Sequence, residues 1–361
     1  MAVSRINEAG LNVNQFGNRN LIINGAMLID QRNGGASVTV SNGVDTFCPD
    51  RFRFTENHSG TFTIEQVSDA PVGFEKSSKI TVTGTDSSLS AGEFARILQG
   101  IEGQNITHLN WGSANAKTCT LTFYVKSSVT GQYYISINNN ATNRNMLKGY
   151  TIDAANTWEK KEIEIIGDTT GTWLTTNAVG IYIMWTLGTG STYQSSTTDA
   201  YQAGFYMGKS DQINLAATSS ATWQLTGVQL EVGDTATDFE HRTFGDELAK
   251  CQRYYQVLAN AQSDAVGLCF KYNSSNTFCF ADLPVEMREQ PTVEQNGASG
   301  DIRITMSGSN NSFSSCTLDG DSSPRRVRLN TSTVVSGASS GAAGWWRIQN
   351  SGGFVNLDAE L

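Results

Sequence analysis

Apolar and polar residues alternate along most of this chain with the period of two that marks a half-buried strand, not the 3.6 of a helix. Between 60 and 232 the pattern recurs at residues 61–67, 79–82, 119–125, 133–137, 158–165, 179–185 and 223–231. In one such run Cys119, Leu121, Phe123 and Val125 fall on one side and Thr120, Thr122 and Tyr124 on the other. Clusters of Gly, Asn and Ser, such as residues 138–140 and 188–190, punctuate the runs as turns do. Many short strands at near-regular spacing predict a β-sandwich or jelly roll. Upstream, residues 21–32 read as an apolar strand ending in a polar turn at 33–35, and 50–54 as a half-buried strand. Residues 1–20 are polar and rich in Asn, and read as a docking arm with Leu11, Val13 and Phe16 as its apolar contacts.

Two stretches depart from the strand period. Residues 91–98 fit either a helical turn or a strand leading to Ile101. Residues 243–255 read as a helix: Thr243 caps it, Asp246 and Glu247 fill the first turn, and Lys250 and Arg253 follow, as the helix dipole prefers. Leu248, Cys251 and Tyr255 fall at i, i+3 and i+7, an apolar face suited to packing against a second copy of the chain. Beyond it, strand-like runs at 267–271, 277–280, 325–329 and 354–361 predict a second, smaller unit. The expected fold is all-β: a jelly-roll β-sandwich, a short helix and a second β-domain. The expected divisions are an arm at 1–20, a jelly roll at 21–242, a helical linker at 243–262 and a C-terminal β-sandwich at 263–361.

Composition sharpens the picture. Charged residues make up 16% of the 361, and Ser, Thr, Asn and Gly replace them as a neutral hydrogen-bonding surface. Seven Trp, 11 Tyr and 16 Phe require a core or a purposeful surface, which argues against disorder. A net charge of −9 gives no general attraction to phosphate, so nucleic-acid binding is not expected. No apolar run reaches the ~20 residues of a membrane helix, and the first residues lack the apolar stretch of a signal peptide. A soluble chain without membrane insertion, folded in the cytosol, is expected. Six scattered cysteines without a CxxC pair read as buried free thiols, and neither metal nor cofactor is expected.

Several phrases resemble a family of bacteriophage tail-fibre and related virion proteins that carry a carbohydrate-binding-like jelly roll. They are residues 20–32 followed by Asp50, Arg51 and Phe52; residues 111–117 and 121–127; residues 155–160; and above all the long phrase from Leu225 through Gln229, Glu231, Gly233, Phe239 and Arg242 to Tyr255. Pro284 to Arg288, Pro291 to Val293 and the closing residues 357–361 also match. The likeness runs over about residues 20–361. It implies a non-enzymatic, oligomeric virion component assembled in the host cytoplasm, a trimer as fibres generally are. Tail fibre, tail tip and head decoration all remain open. Many phage fibres open with a sizeable anchoring domain, whereas about 20 residues precede the jelly roll here. The expected partners are therefore other virion proteins, reached through residues 1–20, and host-surface polysaccharide.

A pyranose stacks its C–H face on an indole while its hydroxyls seek Asn, Asp and Arg. Trp185 and Trp223 lie in alternating strands and read as core, and Trp111 and Trp158 as structural. Trp173 and the Trp345-Trp346-Arg347 run follow Gly-rich stretches and are the candidates for glycan contact. Gln229 and Glu231 read as bonding the loop after them, Asp319 and Asp321 as a solvated turn, and Arg325, Arg326 and Arg328 as a basic patch or a charge-blunted strand. His58, His108 and His241 sit in unrelated contexts, with no nucleophile elbow, zinc motif or phosphate loop. No catalytic residue is assigned. A polysaccharide depolymerase, needing only two facing carboxylates, is the minor alternative.

Overall fold

The computed structural model describes residues 18–296, 300–333 and 335–361. The predicted docking contacts Leu11, Val13 and Phe16 lie outside the described residues. The chain divides into two compact units, the first running through Glu247 with Leu361 added, the second Leu248–Glu360. The boundary falls within the helix, five residues beyond the expected end of the jelly roll.

The strands of the first unit are β1 (Val38–Thr39), β2 (Thr46–Phe47), β3 (Arg53–Asn57), β4 (Thr61–Val67), β5 (Ser77–Gly84), β6 (Phe94–Glu102) and β7 (Cys119–Ser127). They continue with β8 (Gly131–Asn139), β9 (Arg144–Ile152), β10 (Glu159–Ile165), β11 (Val179–Thr189), β12 (Gln202–Ala203) and β13 (Thr222–Val232). They form a six-stranded sheet ordered β1-β4-β5-β13-β7-β10 and a seven-stranded sheet ordered β12-β9-β8-β11-β6-β3-β2. Neighbours pair antiparallel, as in β7–β10 and β6–β11, and the two sheets close on one core as a jelly-roll sandwich. Alternation is what builds that core. Leu121, Phe123 and Val125 of β7 meet Ile181, Ile183 and Trp185 of β11 inside it. Each fully buried aromatic removes some 150–250 Å² from water, roughly 4–6 kcal/mol before entropy is counted.

Residues 21–32 are not the expected strand. They form an irregular segment whose apolar residues Ile22, Met27 and Ile29 are buried while side chains take the place of a ladder. Asn20 donates through Nδ2 to the Val228 carbonyl (3.0 Å) and accepts from Leu230 N (3.1 Å). Asn24 donates to the carbonyls of Ile29 and Asp50 (2.8 and 2.9 Å). Gly25 is required here, since a Cβ would lie 2.1 Å from the Val228 oxygen. The strand at 50–54 starts later, at Arg53, and residues 91–98 resolve in favour of strand β6.

The second unit opens with the rest of α1 (Phe244–Gln252) and continues through β14 (Tyr255–Ala259), β15 (Ala265–Lys271), β16 (Thr277–Asp282), β17 (Thr292–Gln295) and β18 (Ile302–Met306). It ends with β19 (Ser309–Phe313), β20 (Thr317–Leu318), β21 (Arg326–Thr331), β22 (Ala343–Ile348) and β23 (Val355–Asp358). A three-stranded sheet (β14-β23-β17) and a seven-stranded sheet (β19-β18-β22-β15-β16-β21-β20) share one core around Ile304, Val327, Leu329, Trp346 and Leu357.

The helix stops at Gln252, so Tyr255 belongs to β14 and not to a helical face. Cys251 and Tyr255 are buried, at 0% and 2% exposure, and Leu248 is half-buried. The Tyr255 hydroxyl donates to Glu294 Oε2 (2.6 Å) and accepts from Asn356 Nδ2 (2.8 Å). Cys251 and Tyr255 are thus taken up inside the chain, which corrects their expected place in an oligomer contact, while Leu248 keeps part of its surface exposed. All six cysteines are free and buried. Among the described residues, no helix is long and apolar enough to cross a membrane.

Candidate functional site

The outer face of the first unit's seven-stranded sheet is an obvious place for a ligand, but much of it is already occupied by the chain. Residues 190–214 fold back over β8, β9 and β11. Ser136 Oγ and Asn145 Nδ2 both donate to the Tyr206 carbonyl (2.5 and 2.9 Å), and Thr186 Oγ1 donates to that of Met207 (2.8 Å). Asn138 bridges Ser136 and Asn145. At the margin of this cover lies a cavity of about 350 Å³ lined by Gln132, Tyr134, Thr151, Asp199 and Lys209 among others. Its polar groups are largely spoken for: Tyr134 donates to Asp211 (2.8 Å), Gln132 bonds Thr151 (3.1 Å), and Lys148 holds Asp199 (2.8 Å). Lys148 also keeps the Asp199 carboxyl below its usual range. Tyr134 and Tyr150 are 4% and 6% exposed, so neither offers a ring face for stacking.

Trp173 is not available to a sugar either. It is 7% exposed, and its indole N–H donates to Asp168 Oδ2 (3.1 Å). Trp111 and Tyr201 meet its ring edge-on at 4.8 and 5.8 Å. Arg144 clamps the same carboxylate with two bonds of 2.7 Å. Asp168 and Trp173 therefore turn inward on a partly buried ion pair while residues 169–172 between them stay exposed, so the glycine-rich neighbourhood marks a turn and not an exposed indole. Trp158 is half-buried, with Lys126 over its ring.

The second unit presents a different surface. Because successive strand residues point to opposite sides, Trp346 enters the core at 0% exposure while Trp345 stands outward at 46%. That corrects the expectation for Trp346. Register then places Thr305, Trp345, Leu268, Phe280 and Arg328 in one row across β18, β22, β15, β16 and β21. Leu268 is 75% exposed and Phe280 38%. Phe270 stacks on Phe280 with ring centroids 5.8 Å apart and planes 10° off parallel. The row has a polar border: Thr305 Oγ1 donates to Asn310 Oδ1 (2.8 Å), and Ser312 Oγ to Gln349 Oε1 (2.8 Å). Arg347 lies on the same face, directly opposite Arg303 of β18.

The remaining motifs serve structure. Glu231 accepts from Thr237 N and Oγ1 (2.9 and 2.6 Å), and Gln229 accepts from Glu240 N (2.8 Å), so both bind the following loop as expected. The basic run at residues 325–328, which leads into β21, is neutralised. Arg325 pairs with Glu286 (2.8 Å), Arg326 with Asp282, and Arg328 with Asp319 and Asp321. Among the described residues no group of three His, Cys, Asp or Glu side chains is placed to hold a metal.

Of this outward row and its neighbours, the sequence singles out Trp345 and Arg347 but not Leu268, Phe280 or Arg303. Their signal was present as outward positions on alternating strands, yet it becomes a surface only once register aligns segments far apart in sequence.

The sequence matches no family model and no curated protein. Solved structures similar to it include the enzymatically active domain of tailspike protein 4 of bacteriophage CBA120 (13% identity, 60% of this chain and 22% of that chain, TM-score 0.32). A family 11 carbohydrate-binding module of Clostridium thermocellum, in complex with a β-1,3-1,4-mixed-linked tetrasaccharide, is another (10% identity, 58% and 100%, TM-score 0.28). A third is TmCBM61 in complex with β-1,4-galactotriose (10% identity, 50% and 88%, TM-score 0.27). At such scores the chain's own strand order, and not the likeness, defines its fold.

Proposed function

We propose that this chain is a non-enzymatic bacteriophage virion protein, a tail fibre or tail-tip adhesin that holds host-surface saccharide on the outer sheet face of its second unit. The observation that carries the reading is Trp345. It is an exposed indole on a rigid strand, set among apolar neighbours and bordered by Asn310, Ser312, Gln349 and Arg347. Such a platform suits a pyranose, whose apolar face and hydroxyl rim need both kinds of partner. The phrases from Leu225 to Tyr255 support the virion setting. Residues 1–20 dock the chain to other virion proteins, and a trimer multiplies weak single sites through avidity.

Imaging phage particles with and without residues 1–20 tests the placement. Loss of tail appendages together with host adsorption is the expected result. Capsids stripped of protrusions, with adsorption intact, would overturn it in favour of a head decoration.

A second reading has its own observation. Leu268, Tyr272 and Phe280 expose 75%, 59% and 38% of their surface, an apolar patch that also suits packing between virion chains. Leu268→Asp separates the two: a split oligomer with glycan binding retained assigns the patch to assembly.

A further inference from the structure

Arg303 and Arg347 are Cα partners on neighbouring antiparallel strands, so their side chains leave the same face of the sheet directly opposite each other. Facing residues in such a pair lie about 5 Å apart at Cα, and like charges so placed repel. Arg325, Arg326 and Arg328 each answer their charge with a carboxylate. These two do not. Among the described residues neither has a carboxylate within ion-pair distance or a side-chain hydrogen bond, and both Nε atoms are buried without a partner. Both side chains are half-buried, which limits screening by solvent. The pair lies one outward position along from Thr305 and Trp345, with Ser312 opposite Arg303 on its other side.

A guanidinium is a planar fork of donors matched to the two oxygens of a carboxylate or phosphate. Two forks side by side, next to an exposed indole, make a site for one anionic group carried on a ring that stacks. We infer that Arg303 and Arg347 select an acidic saccharide, the sugar ring lying on Trp345 and its anionic group between the two guanidinium groups. This rests on the saccharide reading above and names the substrate class of that same site. The bound anion also removes the repulsion between the two cations, so the site favours an acidic sugar over its neutral counterpart even on a chain of net charge −9.

The test is binding of the full chain to an array of bacterial surface polysaccharides, neutral and acidic. The acidic ones are also presented after methyl esterification of their carboxylates, or after dephosphorylation. The expected result is binding to acidic members that weakens about tenfold or more in Arg303→Gln and Arg347→Gln and weakens in 0.5 M salt. Loss on esterification assigns the anion as a carboxylate, and loss on dephosphorylation as a phosphate. Arg347→Lys keeps the charge without the fork and is expected to bind more weakly than wild type. Thermal melts of each variant confirm the fold. Binding to neutral polysaccharides alone, or to acidic ones equally well in both Gln variants, would overturn the inference and leave the saccharide reading standing. Binding to no polysaccharide at all would overturn both.

Discussion

At the scale of single residues, the molecule turns on where neighbours point. Trp345 and Trp346 are adjacent in sequence but lie on opposite sides of β22, one 46% exposed and the other closed against Phe313 at 4.8 Å. Trp346→Ala is expected to cost about 3–5 kcal/mol in chemical denaturation. Trp345→Ala is expected to cost about 1 kcal/mol or less while abolishing glycan binding. Equal losses of stability for the two would contradict the assigned faces. The sequence marks the pair as notable, and alternation requires that at most one be exposed. Which one depends on the register against β18 and β15. Trp173 was harder to read, because its burial depends on Asp168 and Arg144, two residues 24 positions apart that meet only in the folded chain.

At the scale of elements, strands with strict alternation were legible, and β9, whose alternation is broken, was not. The runs at 61–67, 119–125, 133–137, 179–185 and 223–231 all lie in the observed strands. Strand β9 escaped notice because Arg144, Asn145, Lys148 and Gly149 break its apolar pattern. Asn145 and Leu147 are nonetheless buried, on a strand that residues 190–214 help to cover. The cover lets polar residues such as Asn145 go inside, and in β9 no strict period is left for prediction to rely on. The helix shows the reverse error, in which periodicity carried the reading past its real end at Gln252 into β14. Its start was legible: Thr243 Oγ1 accepts from Asp246 N (3.3 Å) and donates to Asp246 Oδ2 (2.6 Å). Thr243→Ala is expected to lower stability by about 1 kcal/mol, and Thr243→Ser to restore most of it, as urea unfolding curves will show.

For the molecule as a whole, the balance of protons distinguishes the two units. In the first, Asp69, Glu93, Glu159, Asp168, Asp199 and Glu240 are all held below their ordinary range. Burial works to raise Asp69, Glu159, Asp168 and Glu240, but hydrogen bonds and neighbouring cations outweigh it. His58 is lowered by burial, against the pull of Asp86 and Glu93. Glu56, raised by its burial, acts in the opposite direction. A lowered carboxyl binds fewer protons folded than unfolded. Its stabilisation is complete above the unfolded value of about 4 and is lost as pH falls through the folded value. His58 adds a loss in the same direction that begins below about 6.5. In the second unit Asp282 is lowered by Arg326, but on the open surface. Acidification from pH 5 to pH 2 is therefore expected to remove hydrogen-exchange protection from residues 18–247 before residues 248–360, and simultaneous loss would refute this. The interleaving on β15, β16 and β22 has a consequence of another kind. Cys269, Cys279 and Trp346 hold the core while Leu268, Phe280 and Trp345, each one position away, meet the solvent. Inheritance of the fold and drift of the surface are thus written on alternate letters of the same strands. A lineage can rewrite the outward letters one at a time, changing what the face meets, while the inward letters keep every intermediate folded.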